Sequence, residues 1–135
     1  MDLRLVLDTN AYAAMRRGSV GVLDSLEMAD FLGLPSTVLG ELYSSFLIGE
    51  RAERNIHELD AFLAEAGVEI LGIGRREAER YGALVKAMRE RGRPIPTNDL
   101  WIAACTLCAD ARLLTSDTHF AAVPGLVAMG WRDER

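Results

Sequence analysis

Leu3-Arg4-Leu5-Val6-Leu7-Asp8-Thr9-Asn10 decides how the rest of this chain reads. Leu3 to Leu7 is a short, β-prone apolar run. It stops at Asp8, Thr9 and Asn10, all residues that cap helices or form turns. A strand that feeds directly into a helix is the reading. Downstream the pattern recurs. Val20, Leu23, Leu26 and Met28 make an amphipathic helix, and Phe31 to Leu34 is a second short strand closed by Pro35-Ser36. Thr37 to Ile48 is helical, with Gly49 as its cap. Residues 52–66 carry an apolar stripe of Ile56, Leu59, Phe62 and Leu63 at helical spacing. Val68 to Leu71 is a third strand, Arg75 to Arg91 a long helix ended by Gly92, and Arg93-Pro94-Ile95-Pro96 a stiff loop. Thr97 to Ala109 is an almost wholly apolar helix, Leu113 to Thr115 belongs to a fourth strand and Leu126 to Met129 to a fifth. Helices alternate with short apolar strands and tight hairpin signals are missing. An α/β fold follows, with a mainly parallel sheet between helices.

The chain has 135 residues, the size of one ordinary domain, and 50% of them are hydrophobic against 26% charged, which excludes a disordered protein. No repeat, low-complexity tract or linker divides it, so residues 1–135 are expected to form one domain. The formal charge of -5 disfavours a binder that grips DNA or a membrane by electrostatics alone. It leaves room for a nucleic-acid enzyme, because a bound metal reverses the local sign. No signal-peptide core or membrane-spanning run stands out, and two cysteines do not make a disulfide framework. The expected compartment is the cytoplasm.

In open α/β sheets the binding site lies at the carboxyl ends of the strands. Four acids fall near that rim. Asp8 follows the first strand, Asp117 follows the fourth, Asp99 lies in the first turn of the apolar helix, and Glu41 lies one turn into the helix after strand two. Each has a plain structural reading. Asp8 and Asp117 can cap, Asp99 suits a helix N-terminus, and Glu41, opposite the apolar face of its helix, can point to solvent. As a set they demand more. Four carboxylates about 6 Å apart repel by roughly 3 kcal/mol per pair at an effective dielectric near 20, or roughly 17 kcal/mol over six pairs. That rivals the whole stability of a small domain, about 5–15 kcal/mol. Such a cluster takes up protons or cations, and oxygen-only ligands select hard cations such as Mg²⁺ or Mn²⁺.

Four stretches together resemble the PIN-domain ribonucleases, and within them the VapC-like toxins of toxin–antitoxin pairs. They are Leu7-Asp8-Thr9-Asn10, Glu41 in Gly-Glu-Leu-Tyr, Pro96-Thr97-Asn98-Asp99-Leu100-Trp101-Ile102-Ala103-Ala104, and Leu113-Leu114-Thr115-Ser116-Asp117-Thr118-His119-Phe120. The resemblance covers essentially the whole chain. It implies a three-layer α/β/α domain with a parallel five-stranded sheet, in which strands one and four are adjacent. Asp8 and Asp117 then flank the point where strand order reverses. It further implies Mg²⁺- or Mn²⁺-dependent cleavage of RNA, a homodimer, and a small antitoxin that blocks the site. By position, Asp8, Glu41, Asp99 and Asp117 are the acidic quartet, with Asp8, Asp99 and Asp117 around metal and Thr9, Asn10 and Thr115 as supporting polar groups. Where some relatives carry a further acid, this chain has His119, which either lines the site or is a hydrogen-bonded structural histidine.

Other features are weaker. Cys105 and Cys108 form a CxxC inside an apolar helix with no second pair, the pattern of free thiols rather than of a zinc site. Residues 75–93 hold seven basic side chains against three acids. They form a solvated face or a landing strip for RNA phosphates, in which Arg89, Arg91 and Arg93 lead to the rim. The second and third helices carry enough Leu, Val, Phe and Tyr to suggest an interface with a second copy or an antitoxin. Two other classes compete. A haloacid-dehalogenase-type phosphatase needs a second acid where Asn10 stands. A receiver-like signalling module needs a lysine after a late strand, and the only lysine is Lys86, mid-helix. A catalytically silent RNA-binding relative is a third alternative.

Overall fold

The computed structural model describes residues 2–133. In chain order it contains β1 (Arg4–Leu7), α1 (Thr9–Arg16), α2 (Val20–Met28), β2 (Phe31–Pro35), α3 (Ser36–Ile48), α4 (Ala52–Glu65), β3 (Glu69–Leu71), α5 (Arg75–Glu90), α6 (Thr97–Cys108), β4 (Arg112–Leu114), a 3-10 turn over Thr118–Ala122, and β5 (Ala128–Met129). The expected elements are all present, with ends shifted by a residue or two. Among the described residues no helix is long and apolar enough to cross a membrane.

The five strands form one sheet in the order β3-β2-β1-β4-β5, and every pairing is parallel. Successive residues of a strand point to opposite faces. Leu5, Val6 and Leu7 are all fully buried, so both faces of β1 are covered, and Leu113 and Leu114 say the same of β4. That makes three layers, helix on sheet on helix, as expected. The chain leaves β1 toward β2 on one side and returns to β4 on the other, so strand order reverses between β1 and β4.

Local chemistry explains the element ends that matter. Asp8 has extended backbone and its Oδ1 accepts from the Ala11 N–H at 2.8 Å, an N-cap for α1. Gly92, at φ +63, follows the end of α5 in the left-handed region, where glycine meets no steric penalty. Gly49 caps α3 with φ -78 and extended geometry, without the left-handed turn that often closes a helix.

Helix α2 is pinned by the end of the described chain. Asp133 accepts from Ser19 Oγ at 2.6 Å and from the Gly21 N–H at 3.0 Å. Residue 21 has to be glycine for this, since a Cβ there would sit 2.4 Å from the Arg132 carbonyl oxygen. Gly21→Ala is therefore expected to lower the unfolding free energy by about 1–3 kcal/mol, the cost of overpacking a tight contact. Urea unfolding of the two proteins measures it, and an unchanged midpoint would show that the tail does not grip α2.

Candidate active site

The parallel register brings the rim together. Leu7 pairs with Leu114, so the next residues, Asp8 and Thr115, stand side by side where the two strands end. The Asp8 N–H donates to the Leu114 carbonyl at 3.3 Å. The Thr115 hydroxyl donates to Asp8 Oδ2 and accepts from the Asp117 N–H at 3.0 Å. One side chain thus ties the first acid to the loop that carries the last. Asp8 is 3% exposed and Thr115 4%, so this is a buried polar joint.

The other acids arrive from three directions. Asp99 is in the first turn of α6, where the helix dipole favours negative charge. Asp117 precedes the 3-10 turn but its side chain makes no cap there; it accepts instead from Asn10 Nδ2 at 3.1 Å, across from α1. Glu41 projects from α3 and its Oε1 accepts from the Thr9 hydroxyl at 2.7 Å. The capping reading therefore fails for Asp117 and holds for Asp8, whose cap uses only one oxygen. Each supporting group named from the sequence has a carboxylate partner: Thr9 with Glu41, Asn10 with Asp117, Thr115 with Asp8.

His119 lies inside this network. Its Nε2 stands 2.7 Å from Asp99 Oδ2, and its Nδ1 3.9 Å from Asp117 Oδ1. The ring spans two of the acids. It is held there by its neighbour Phe120, fully buried under the turn, and by Arg91, whose Nη1 donates to the Ala122 carbonyl at 2.9 Å. Arg91 therefore fastens the end of α5 to the turn that carries His119. Arg89 and Arg93 are exposed.

Electrostatics shows that the acids feel one another. Burial pushes the Asp8 carboxyl up from its ordinary value; the hydrogen bonds from Thr115 and Ala11 pull it down, and the charges of Asp117 and Asp99 push it up further. The Asp99 carboxyl is likewise raised by burial, lowered by its bond and charge interaction with His119, and raised by Asp117 and Glu41. Exposure grades outward, from 3% at Asp8 to 17% for the Asp99 side chain and 44% for that of Asp117.

A cluster of carboxylates whose most buried member is held above its usual range is a set of hard oxygen donors short of positive charge. That donor chemistry fits Mg²⁺ or Mn²⁺. Each carboxylate offers about four lone-pair sites, so the bonds already accepted by Asp8 do not use it up. The cluster is open. Among the described residues, no three Asp, Glu, His or Cys side chains are drawn in closely enough to ring an ion. The CxxC contributes nothing here. Cys105 is buried and Cys108 half-buried, both free, and burial lifts the Cys105 thiol to about 11.

His119, flagged in the sequence as either lining the site or structurally hydrogen-bonded, does both, and only its partner Asp99, 20 residues away, left no signal. Tyr12, buried in α1 with a hydroxyl that has no hydrogen-bond partner among the described residues, left none at all. Both depend on how α1, α4, α6 and the 3-10 turn pack together.

Fold and site define a class: an α/β protein with a carboxylate-lined site where the strand order of a parallel sheet reverses. Comparison with known proteins narrows it. The PIN domain family model matches residues 5–126. Ribonuclease VapC4 of Mycobacterium tuberculosis is 32% identical over 92 residues, 68% of this chain and 71% of that one. Ribonuclease VapC2 of Rickettsia felis is 28% identical over 131 residues, 93% of this chain and 96% of its own. Among solved structures, VapBC2 from Rickettsia felis bound to a DNA fragment from their promoter aligns with a TM-score of 0.87 at 27% identity, over 96% of this chain and 100% of that one. VapBC-1 from nontypeable Haemophilus influenzae shares the fold, with a TM-score of 0.85 at 24% identity over 96% and 98% of the two chains. The chain belongs to the PIN-domain family, in the VapC-like part of it.

The raised Asp8 and Asp99 carboxyls have a consequence for stability. A carboxyl whose folded pKa lies above its unfolded value binds its proton more tightly when folded. The metal-free fold then loses stability as pH rises from the unfolded value through the folded one. Asp8→Asn removes one such group and keeps a cap for Ala11. In a chelating buffer, Asp8→Asn is expected to be more stable than wild type at pH 7, with the difference shrinking toward zero near pH 3.5. Denaturant unfolding across that range measures it, and a difference independent of pH would contradict the electrostatics described.

Proposed function

We propose that this protein is a Mg²⁺- or Mn²⁺-dependent endoribonuclease, the toxin of a toxin–antitoxin pair, working as one domain. The observation that carries the reading is the chain of contacts at the β1–β4 switch point: Thr115 links Asp8 to the Asp117 loop, His119 stands between Asp99 and Asp117, and Thr9 holds Glu41 beside them. Its relatives point the same way: those from Mycobacterium tuberculosis and Rickettsia felis are named ribonucleases.

Asp8, Asp99 and Asp117 would hold the cation. When bound, it supplies charge for the phosphodiester oxygens and an acidified water. The chain's own residues do the rest. Thr115 keeps Asp8 turned toward the cluster, and Asn10 aims Asp117. Thr9 holds Glu41 by one oxygen, leaving the other to orient the attacking water or take its proton. His119 braces Asp99. Arg89, Arg91 and Arg93 on and after α5 are the phosphate strip; Arg91 also has a tethering duty at Ala122.

Neither the receiver-like nor the silent RNA-binding reading gains from the geometry. Lys86, the lysine a receiver-like module would need at its acidic pocket, stands on α5 with its side chain 81% exposed and paired to Glu90. A silent RNA-binding module has no use for a carboxylate network in which every acid is positioned.

The protein partner in this reading is a cognate antitoxin, supported by neighbours solved as VapBC assemblies, one of them on promoter DNA. Apolar side chains stand free at the end of α3, where Leu47 is 68% and Ile48 85% exposed, and on α2, where Met28 is 72% exposed. These are the faces for the antitoxin and for a second copy in a homodimer. Free Cys105 and Cys108 suit a cytoplasmic setting.

Purified protein with a defined RNA panel tests the proposal. Cleavage is expected with Mn²⁺ or Mg²⁺ and none with chelator. Asp99→Asn and Asp117→Asn should each be slower by roughly 100-fold or more, since several kcal/mol of charge stabilisation is lost. Thr115→Val, which removes no acid but frees both Asp8 and the Asp117 N–H, should cost roughly 10- to 100-fold. Full-rate cleavage by Asp99→Asn, or cleavage unaffected by chelator, would overturn the assignment.

A further inference from the structure

A cleft of about 300 Å³ opens beside the acidic rim, lined by residues of α1, α3 and α4. Thr9 joins the two sites, because it lines the cleft and its hydroxyl also holds Glu41. Leu42 and Phe46 supply an apolar wall, and Arg16, Arg54 and Glu58 a charged one.

Tyr12 also lines the cleft. Its ring packs edge to face on Phe62 with centroids 5.5 Å apart, and it is 2% exposed. Its hydroxyl is the buried side-chain polar atom without a hydrogen-bond partner among the described residues. It lies near enough to Arg16 and Glu58 to feel both charges. A hydroxyl stripped of water and given no partner destabilises a fold, and phenylalanine would fill the same space without that loss. Tyrosine is accounted for here by a partner that arrives with a ligand.

Charge and shape say which ligand. Arg16 and Arg54 both pair with Glu58, so the cleft is net positive although it adjoins a rim of acids. That complements a phosphodiester strand. An apolar wall with donors and acceptors on Tyr12 and Asn55 suits an unpaired base, which presents an apolar face and a polar edge. The Arg16–Glu58 pair has side chains 43% and 30% exposed, and such exposed pairs are weakly held, so it yields to an incoming base edge at little cost.

We propose that this cleft reads one unpaired nucleobase of the RNA strand next to the cleaved phosphate, with the Tyr12 hydroxyl as the group that selects the base. The inference rests on the ribonuclease reading, and its test separates the two.

Short single-stranded homopolymers of A, C, G and U are titrated into wild type and Tyr12→Phe in chelator, by fluorescence anisotropy. In parallel, a mixed-sequence RNA is cut with Mn²⁺ and its cleavage sites mapped. Wild type should prefer one base. Tyr12→Phe should lose roughly tenfold in affinity for that base, the worth of one hydrogen bond to a base edge, while holding the other three and shifting the cleavage sites to match. Its thermal midpoint should equal or exceed wild type, which shows that the fold is intact. An unchanged base ranking overturns the proposal. An unchanged ranking with weakened binding of the antitoxin protein also overturns it and gives the cleft to a protein segment. Tyr12-dependent base preference without any cleavage retires the ribonuclease reading and keeps the cleft.

Discussion

A buried carboxylate at the junction of two parallel strands is the constraint on which the rest of this structure depends. Asp8 is nearly inaccessible, flanked by Leu7 and the core, and holding a charge there is costly unless it is hydrogen-bonded or paired. Two bonds meet part of that cost, one from the first turn of α1 and one from Thr115 on the neighbouring strand. The second exists only because β1 and β4 are adjacent and in the register that sets Leu7 beside Leu114. The charges of Asp99 and Asp117 then raise the cost again. The fold concentrates negative charge where it is least comfortable, which is the condition the proposed cation would relieve.

Much of this was legible in the sequence because it is local. The strand Leu3–Leu7 and the cap at Asp8 are read from neighbouring residues, as are the long helix ended by Gly92 and the apolar helix after Pro96. The pairing of strands one and four came from resemblance rather than periodicity, since pairing partners leave no trace in a run of three or four apolar residues. What stayed hidden is long-range. His119 meets Asp99 only because the 3-10 turn folds back under Phe120. Arg91 reads like Arg89 and Arg93, as part of a solvated face or a phosphate strip, until its bond to Ala122 is seen. Tyr12 reads as an ordinary core aromatic, and only burial without a partner sets it apart.

The net charge of -5 also changes meaning. Four of the acids sit in one network, held in place by hydrogen bonds and contacted by a histidine. Basic side chains lie to either side, on α5 and in the cleft formed by α1 and α4. The proposed substrate, a polyanion, would find those arginines beside the acids, with the proposed cation between its phosphate and the carboxylates. Overall acidity and a nucleic-acid substrate are thereby compatible, because the sign that matters is local.

We infer that the acids at the switch point hold a divalent cation. The most direct measurement is calorimetric titration of Mn²⁺ into the metal-free protein and into Asp8→Asn, with no RNA present. Saturable binding to wild type is expected, lost or strongly weakened in Asp8→Asn while the fold stays intact. Equal binding by the two proteins, or none by wild type, would contradict it.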